Sequence, residues 1–118
     1  MAELENLSGP WQGWWVQGAH RGHQRLNLLF GEGKIMGSGG DDSGKFDVFG
    51  EYDDGDVWLV KRYLDWDVRY NGKWDGAMIS GYWTIQSYGF FDSGSFEIWP
   101  VKGEESTSEV EAALQASN

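Results

Sequence analysis

The chain has no cysteine, only 2 prolines, and 9 lysines and arginines against 19 acidic residues. Without cysteine there is no disulfide framework, no thiolate zinc site and no cysteine nucleophile. No apolar run approaches the roughly 20 residues that a spanning helix needs, and no secretory leader opens the chain. The expectation is a cytoplasmic protein that does not engage membrane. The shortage of basic residues also argues against nucleic acid, since phosphate binding needs clustered Lys and Arg. The nearest thing to a cluster, Lys61-Arg62 with Arg69 and Lys73, is interrupted by Asp65, Asp67 and Asp75.

The net charge of −10 is unevenly spread: Met1–Ser8 and Gly103–Asn118 contain six Glu and no base, which leaves residues 9–102 with 13 acids and 9 bases. Most of the excess therefore lies in the ends, where it serves solubility.

What the chain does contain is glycine and aromatics, with 18 Gly, 8 Trp, 5 Tyr and 6 Phe in 118 residues. Glycine weakens helices and bulky rings suit a pleated surface, so the pairing points to strands joined by tight turns. Short alternating runs recur near 11–18, 24–31, 33–39, 45–52, 56–63, 66–73, 76–84 and 92–99. The breaks Glu32-Gly33, Asp54-Gly55 and Asp75-Gly76 are hairpin chemistry. No period of 3.6 is sustained between Trp11 and Trp99. The fold class expected is all-β, an eight-stranded antiparallel up-and-down barrel whose closure removes exposed edges. Residues 1–10 read as a frayed lead-in, 11–100 as the barrel, and 101–118 as an acidic flexible tail or short helix, with Ser108 and Glu111 in capping-box spacing and Val110 and Leu114 four apart.

Period-2 alternation assigns the faces. Leu26, Leu28, Phe30, Ile35, Phe46, Val48, Tyr52, Val57, Leu59, Lys61, Tyr63, Val68, Tyr70, Ala77, Ile79, Trp83, Phe96 and Ile98 fall on the inward parity, with glycines at 37, 39, 50 and 81. Glycine there suits tightly coiled strands. Lys61 is the one inward charge. A buried ammonium must find acceptors, ring faces, or lose its proton. Lys61 with Tyr63, Tyr70 and Trp83 is therefore the candidate site for a small polar or anionic ligand at the barrel mouth; the alternative is a lysine that snorkels to water.

Other chemistry is sparse. Asp41-Asp42-Ser43-Gly44 and Asp53-Asp54-Gly55-Asp56 read as ordinary turns rather than calcium loops. His20 and His23 read as loop residues, too few for a catalytic zinc site. No serine elbow or phosphate loop is present. The expectation is a protein that is not an enzyme, with no cofactor and no metal.

Trp14, Phe49, Trp58, Val60, Met78, Tyr82 and Trp99 take the outward parity. Several exposed rings on neighbouring strands suggest a covered patch. The reading is a homo-oligomer, most simply a dimer, joined through Phe49, Trp58, Val60, Met78 and Tyr82.

Two family likenesses touch these residues. Trp11-x-Gly13-Trp14, a meander of short strands, and Trp74, Trp83 and Trp99 along the later half resemble the streptavidin-like, calycin-type barrels. That resemblance implies an eight-stranded barrel with a ligand in its mouth and pairing through its walls. The early Asn/Ser ligand group and the Trp-x-Phe-Ser segment that read biotin have no counterpart, so it implies an uncharacterised variant. Gly50-Glu51-Tyr52-Asp53-Asp54-Gly55 and Gly72-Lys73-Trp74-Asp75-Gly76 resemble MORN-repeat fragments, which imply a hairpin scaffold. A protein-interaction or structural module is thus the alternative function.

Overall fold

The computed structural model describes residues 3–87 and 89–101. Eight strands follow one another: β1 Gly9–Gln17, β2 His20–Gly31, β3 Lys34–Asp41, β4 Gly44–Asp53, β5 Asp56–Arg62, β6 Asp67–Trp74, β7 Ile79–Ser87 and β8 Phe90–Pro100. Each pairs antiparallel with the next, and β8 returns to β1 to close the barrel. The hairpins thus close on one another, and a MORN-type solenoid is not formed. Of the tail or helix read over 101–118, all but Val101 lies outside the described residues.

The turns follow local chemistry. Glu32-Gly33 and Asp54-Gly55 place both central residues at positive φ, 52° and 79° in the first and 48° and 88° in the second. That is the type I′ geometry whose twist matches the flanking strands. Inward glycine has a steric cause: a Cβ on Gly37, Gly50 or Gly81 would stand 2.0, 2.1 and 2.0 Å from a carbonyl oxygen of the adjacent strand. The wall bends too sharply there for any side chain.

The inward parity is the core. Leu26, Leu28, Phe30, Ile35, Phe46, Val48, Val57, Leu59, Tyr63, Val68, Tyr70, Ile79, Trp83, Phe96 and Ile98 are buried together with Trp11, while Tyr52 is half-buried against them. At the end of the barrel where β1 begins, Trp11, Phe30, Tyr52 and Trp74 form a layer of rings with centroids 5.4–5.8 Å apart.

Four expectations are corrected. The lead-in is not frayed over its described part, from Glu3 on: Leu4–Asn6 form a 3-10 turn that buries Leu4 in the core, and the Leu7 carbonyl accepts the Trp11 indole N–H at 2.8 Å. His20 and His23 lie in β2 rather than in a loop, because Gln17 pairs with His20 and the turn shrinks to Gly18-Ala19. Ala77 is exposed, since β7 begins only at Ile79. The Asp75 carboxylate accepts the N–H groups of Ala77 and Met78 and holds that stretch as a turn. Val60 is only 5% exposed although it faces outward. Its register neighbours Phe49 and Arg69 flank it within the same chain, so it is already shielded without a partner.

Candidate functional site

β1, β3, β5 and β7 all run toward the end of the barrel opposite Leu4, so the turns after them form its mouth. Because β5 carries Val57, Leu59 and Lys61 inward in succession, the lysine falls in the last inward layer before the rim. Its side chain is 2% exposed. Snorkelling to water is therefore not what it does.

The ammonium has three N–H groups. It donates to Gln24 Oε1 at 2.9 Å, Asp41 Oδ2 at 2.9 Å and Tyr70 Oη at 3.1 Å. It also lies over the ring faces of Phe46 at 4.3 Å and Tyr70 at 5.0 Å. Each acceptor is itself held. The Gln24 amide donates back to the Trp14 carbonyl at 3.4 Å. Tyr70 donates to Gln24 Oε1 at 3.3 Å. Asp41 joins two structures: Oδ1 accepts the Ser43 N–H of its own turn at 2.8 Å, while Oδ2 takes Lys61 and the Tyr63 hydroxyl.

Burial pulls the Lys61 pKa down to about 8, against the opposing pull of the Asp41 charge and its hydrogen bond. Burial also raises Tyr63 and Tyr70 well above the ordinary phenol value, with Asp41 adding to both. Tyr63 stands just past β5, and its ring stacks on Trp66 at 4.1 Å with planes 6° apart. Trp83 is held by its indole N–H on the Val16 carbonyl at 2.9 Å.

Lys61, Tyr63, Tyr70 and Trp83, the four residues singled out from sequence, surround one cavity of about 40 Å³, with Trp15 and Trp66 at its sides. That volume holds roughly two or three waters. Three members of the cluster were not foreseen: Gln24, Asp41 and Phe46 as a ligand of the ammonium. Asp41 was read as a turn residue; its carboxylate is instead buried against Lys61. The signal was there, because the inward parity of Ile35, Gly37 and Gly39 continues to 41 and that of Leu26 back to 24.

Among the described residues, no group of three His, Asp or Glu side chains is placed to hold a metal ion. No helix among them is long and apolar enough to cross a membrane. On the outer wall the proposed interface residues divide. Tyr82 is 69% exposed and Trp58 is also exposed, sharing a groove of about 780 Å³ with Trp14. Phe49 is half-buried under the Arg62 guanidinium, 4.9 Å from its ring. Met78 sits in the turn before β7, away from Phe49 and Val60. No family model, curated protein or solved structure matches the chain.

Proposed function

We propose that the protein is a non-catalytic binding barrel that receives a small polar group at its mouth, beside Lys61. The observation that carries this reading is the ion pair itself. A buried pair is seldom worth more to stability than apolar packing of the same volume, so its presence beside a cavity and a ring of aromatics points to recognition. The closed meander supports an architectural likeness to streptavidin-like barrels. The cavity, however, leaves no room for a ligand of biotin's size.

The geometry also narrows the ligand. All three ammonium protons are committed and Asp41 neutralises the charge, so an anion would have to displace Asp41. A neutral hydroxyl or amide head fits beside the intact cluster, with the rest of the molecule against Trp66 at the rim. The test is titration of acetamide, ethylene glycol and acetate while the amide resonances of residues 41–44 and 63–66 are followed. Saturable shifts with a neutral probe, abolished in Lys61→Met, are expected. Shifts with none of the three would overturn the reading.

A second reading, self-association through the wall, is favoured by one register observation. Leu29, Met36, Phe49 and Val60 pair in one outward row across β2, β3, β4 and β5, with Leu29 65% and Met36 64% exposed. Trp58 adjoins the row on β5. A two-fold pairing would let Leu29 and Met36, the exposed members of this strip, bury their own copies. Sedimentation should then give a dimer, and Leu29→Glu with Met36→Glu a monomer. A wild-type monomer at high concentration would defeat it.

A further inference from the structure

The cations without an ion pair, among the described residues, lie on the outer face of the barrel. Among the described residues Lys34, Lys61, Arg62 and Lys73 each form an ion pair, with Glu51, Asp41, Asp67 and Asp56 respectively. Arg21, Arg25, Lys45 and Arg69 form none; Arg21 lies over the Trp14 ring at 4.6 Å, whereas Arg25 and Lys45 make no side-chain hydrogen bond either. Both line a groove of about 930 Å³ on the outer wall.

The register explains how they meet. Arg25 on β2 pairs with Gly40 on β3, and Gly40 pairs with Lys45 on β4. Neighbouring strands lie about 4.8 Å apart, so the two cations straddle a gap of roughly 10 Å. The strand between them carries no side chain at that level. The gap is open rather than strained: a Cβ on Gly40 would meet nothing nearer than the Gly44 carbonyl at 3.8 Å. Gln12 pairs with Arg25 and stands at one side of the gap, and the next outward row runs Asn27, Ser38, Asp47 and Arg62, two neutral residues followed by an acid and a base. Asp47 is the acid that lines the groove, and Arg62 lines it too while bound to Asp67.

We propose that this groove is an anion site for the phosphoryl group of a small molecule, on the outer face of the wall that carries the Lys61 cluster within. Two cations facing each other across a bare strand suit a tetrahedral oxyanion, which offers oxygens to both sides at once; a single carboxylate would satisfy one. A volume of this order suits a small ligand. A long polyanion is disfavoured, because away from the groove the body of the chain carries more acids than bases. The site goes beyond the mouth reading and does not depend on it.

The experiment is titration of inorganic phosphate and then pyrophosphate into the full chain at constant ionic strength, followed by backbone amide shifts. Saturable shifts are expected at Ser38, Gly39 and Gly40, with the buried Lys61 and Tyr70, which do not line the groove, unmoved. Arg25→Gln with Lys45→Gln should weaken binding roughly tenfold or more. Gly40→Thr, which fills the gap with both cations kept, should also weaken it while the melting temperature shows that the barrel is intact. Shifts that do not saturate, that centre on the mouth, or that persist unchanged in both variants would overturn the site. Acetate binding as tightly as phosphate would overturn its assignment to a phosphoryl group.

Discussion

Asp41→Ala is expected to destabilise the barrel by ~3–5 kcal/mol, the range for removing one partner from a buried ion pair. The loss is large because two donors lose their acceptor together. Lys61 keeps Gln24 and Tyr70 but no counter-charge, and the Tyr63 hydroxyl loses its carboxylate. The Ser43 N–H loses its acceptor as well. For a domain of this size the melting temperature should fall by ~12 °C or more. The informative comparison is Asp41→Ala combined with Lys61→Met. Removing both charges relieves the unpaired ammonium, so the double variant should regain much of the stability lost by the single one. If the double variant is as unstable as the sum of the two single ones, the pair is not coupled in the way the geometry requires.

The second large effect is a rise of stability with pH above neutrality. Lys61 titrates at about 8 in the fold against an ordinary value of 10.5. Between those values the unfolded chain holds a proton that the folded chain has released, so stability increases as pH rises through the window. The gain is up to roughly 3 kcal/mol. Tyr63 and Tyr70 act in the opposite sense higher up. Their folded values are raised above 10.0, so above that pH the unfolded chain loses phenolic protons that the folded chain keeps, and stability falls. A maximum between about pH 9 and 10 follows. Denaturant melts from pH 7 to 11 test it. Lys61→Met should remove the rising limb and leave the falling one; a wild-type profile flat from pH 7 to 10 would contradict the burial argument.

The strands and their faces were legible in the sequence because a filled barrel imposes strict alternation. Val57, Leu59 and Lys61 on one parity with Trp58 and Arg62 on the other could be assigned before any coordinates. Lys61, Tyr63, Tyr70 and Trp83 meet for the same reason. What escaped was the chemistry at strand ends, where the same residue types serve turns and interiors. Asp41 has the composition of a turn and does cap one, yet its second oxygen reaches inward. His20 looked like loop because polar residues stand on both faces of β2 near the rim. Ala77 looked like strand because nothing in its alternation revealed that Asp75 would hold the backbone as a turn. The outer groove was invisible for another reason. Gly40 and Lys45 face each other across one hairpin, but Arg25 stands on an earlier strand, and only the register of β2 on β3 brings it to their level.

The seam between β1 and β8 separates this fold from an open meander. Every other strand pair joins neighbours in the chain and can form locally, at little loss of loop entropy. The seam brings Trp11 to Pro100 and Trp15 to Phe96, contacts that span nearly the whole described chain. Gly13 lies in it so close to the β8 backbone that a Cβ would sit 1.9 Å from the Glu97 carbonyl oxygen. Order in the middle of the sequence thus accumulates step by step, while cylinder closure is a single distant event with narrow steric tolerance. The largest loop-closure entropy of the fold falls there, at the one junction that no hairpin can make in advance.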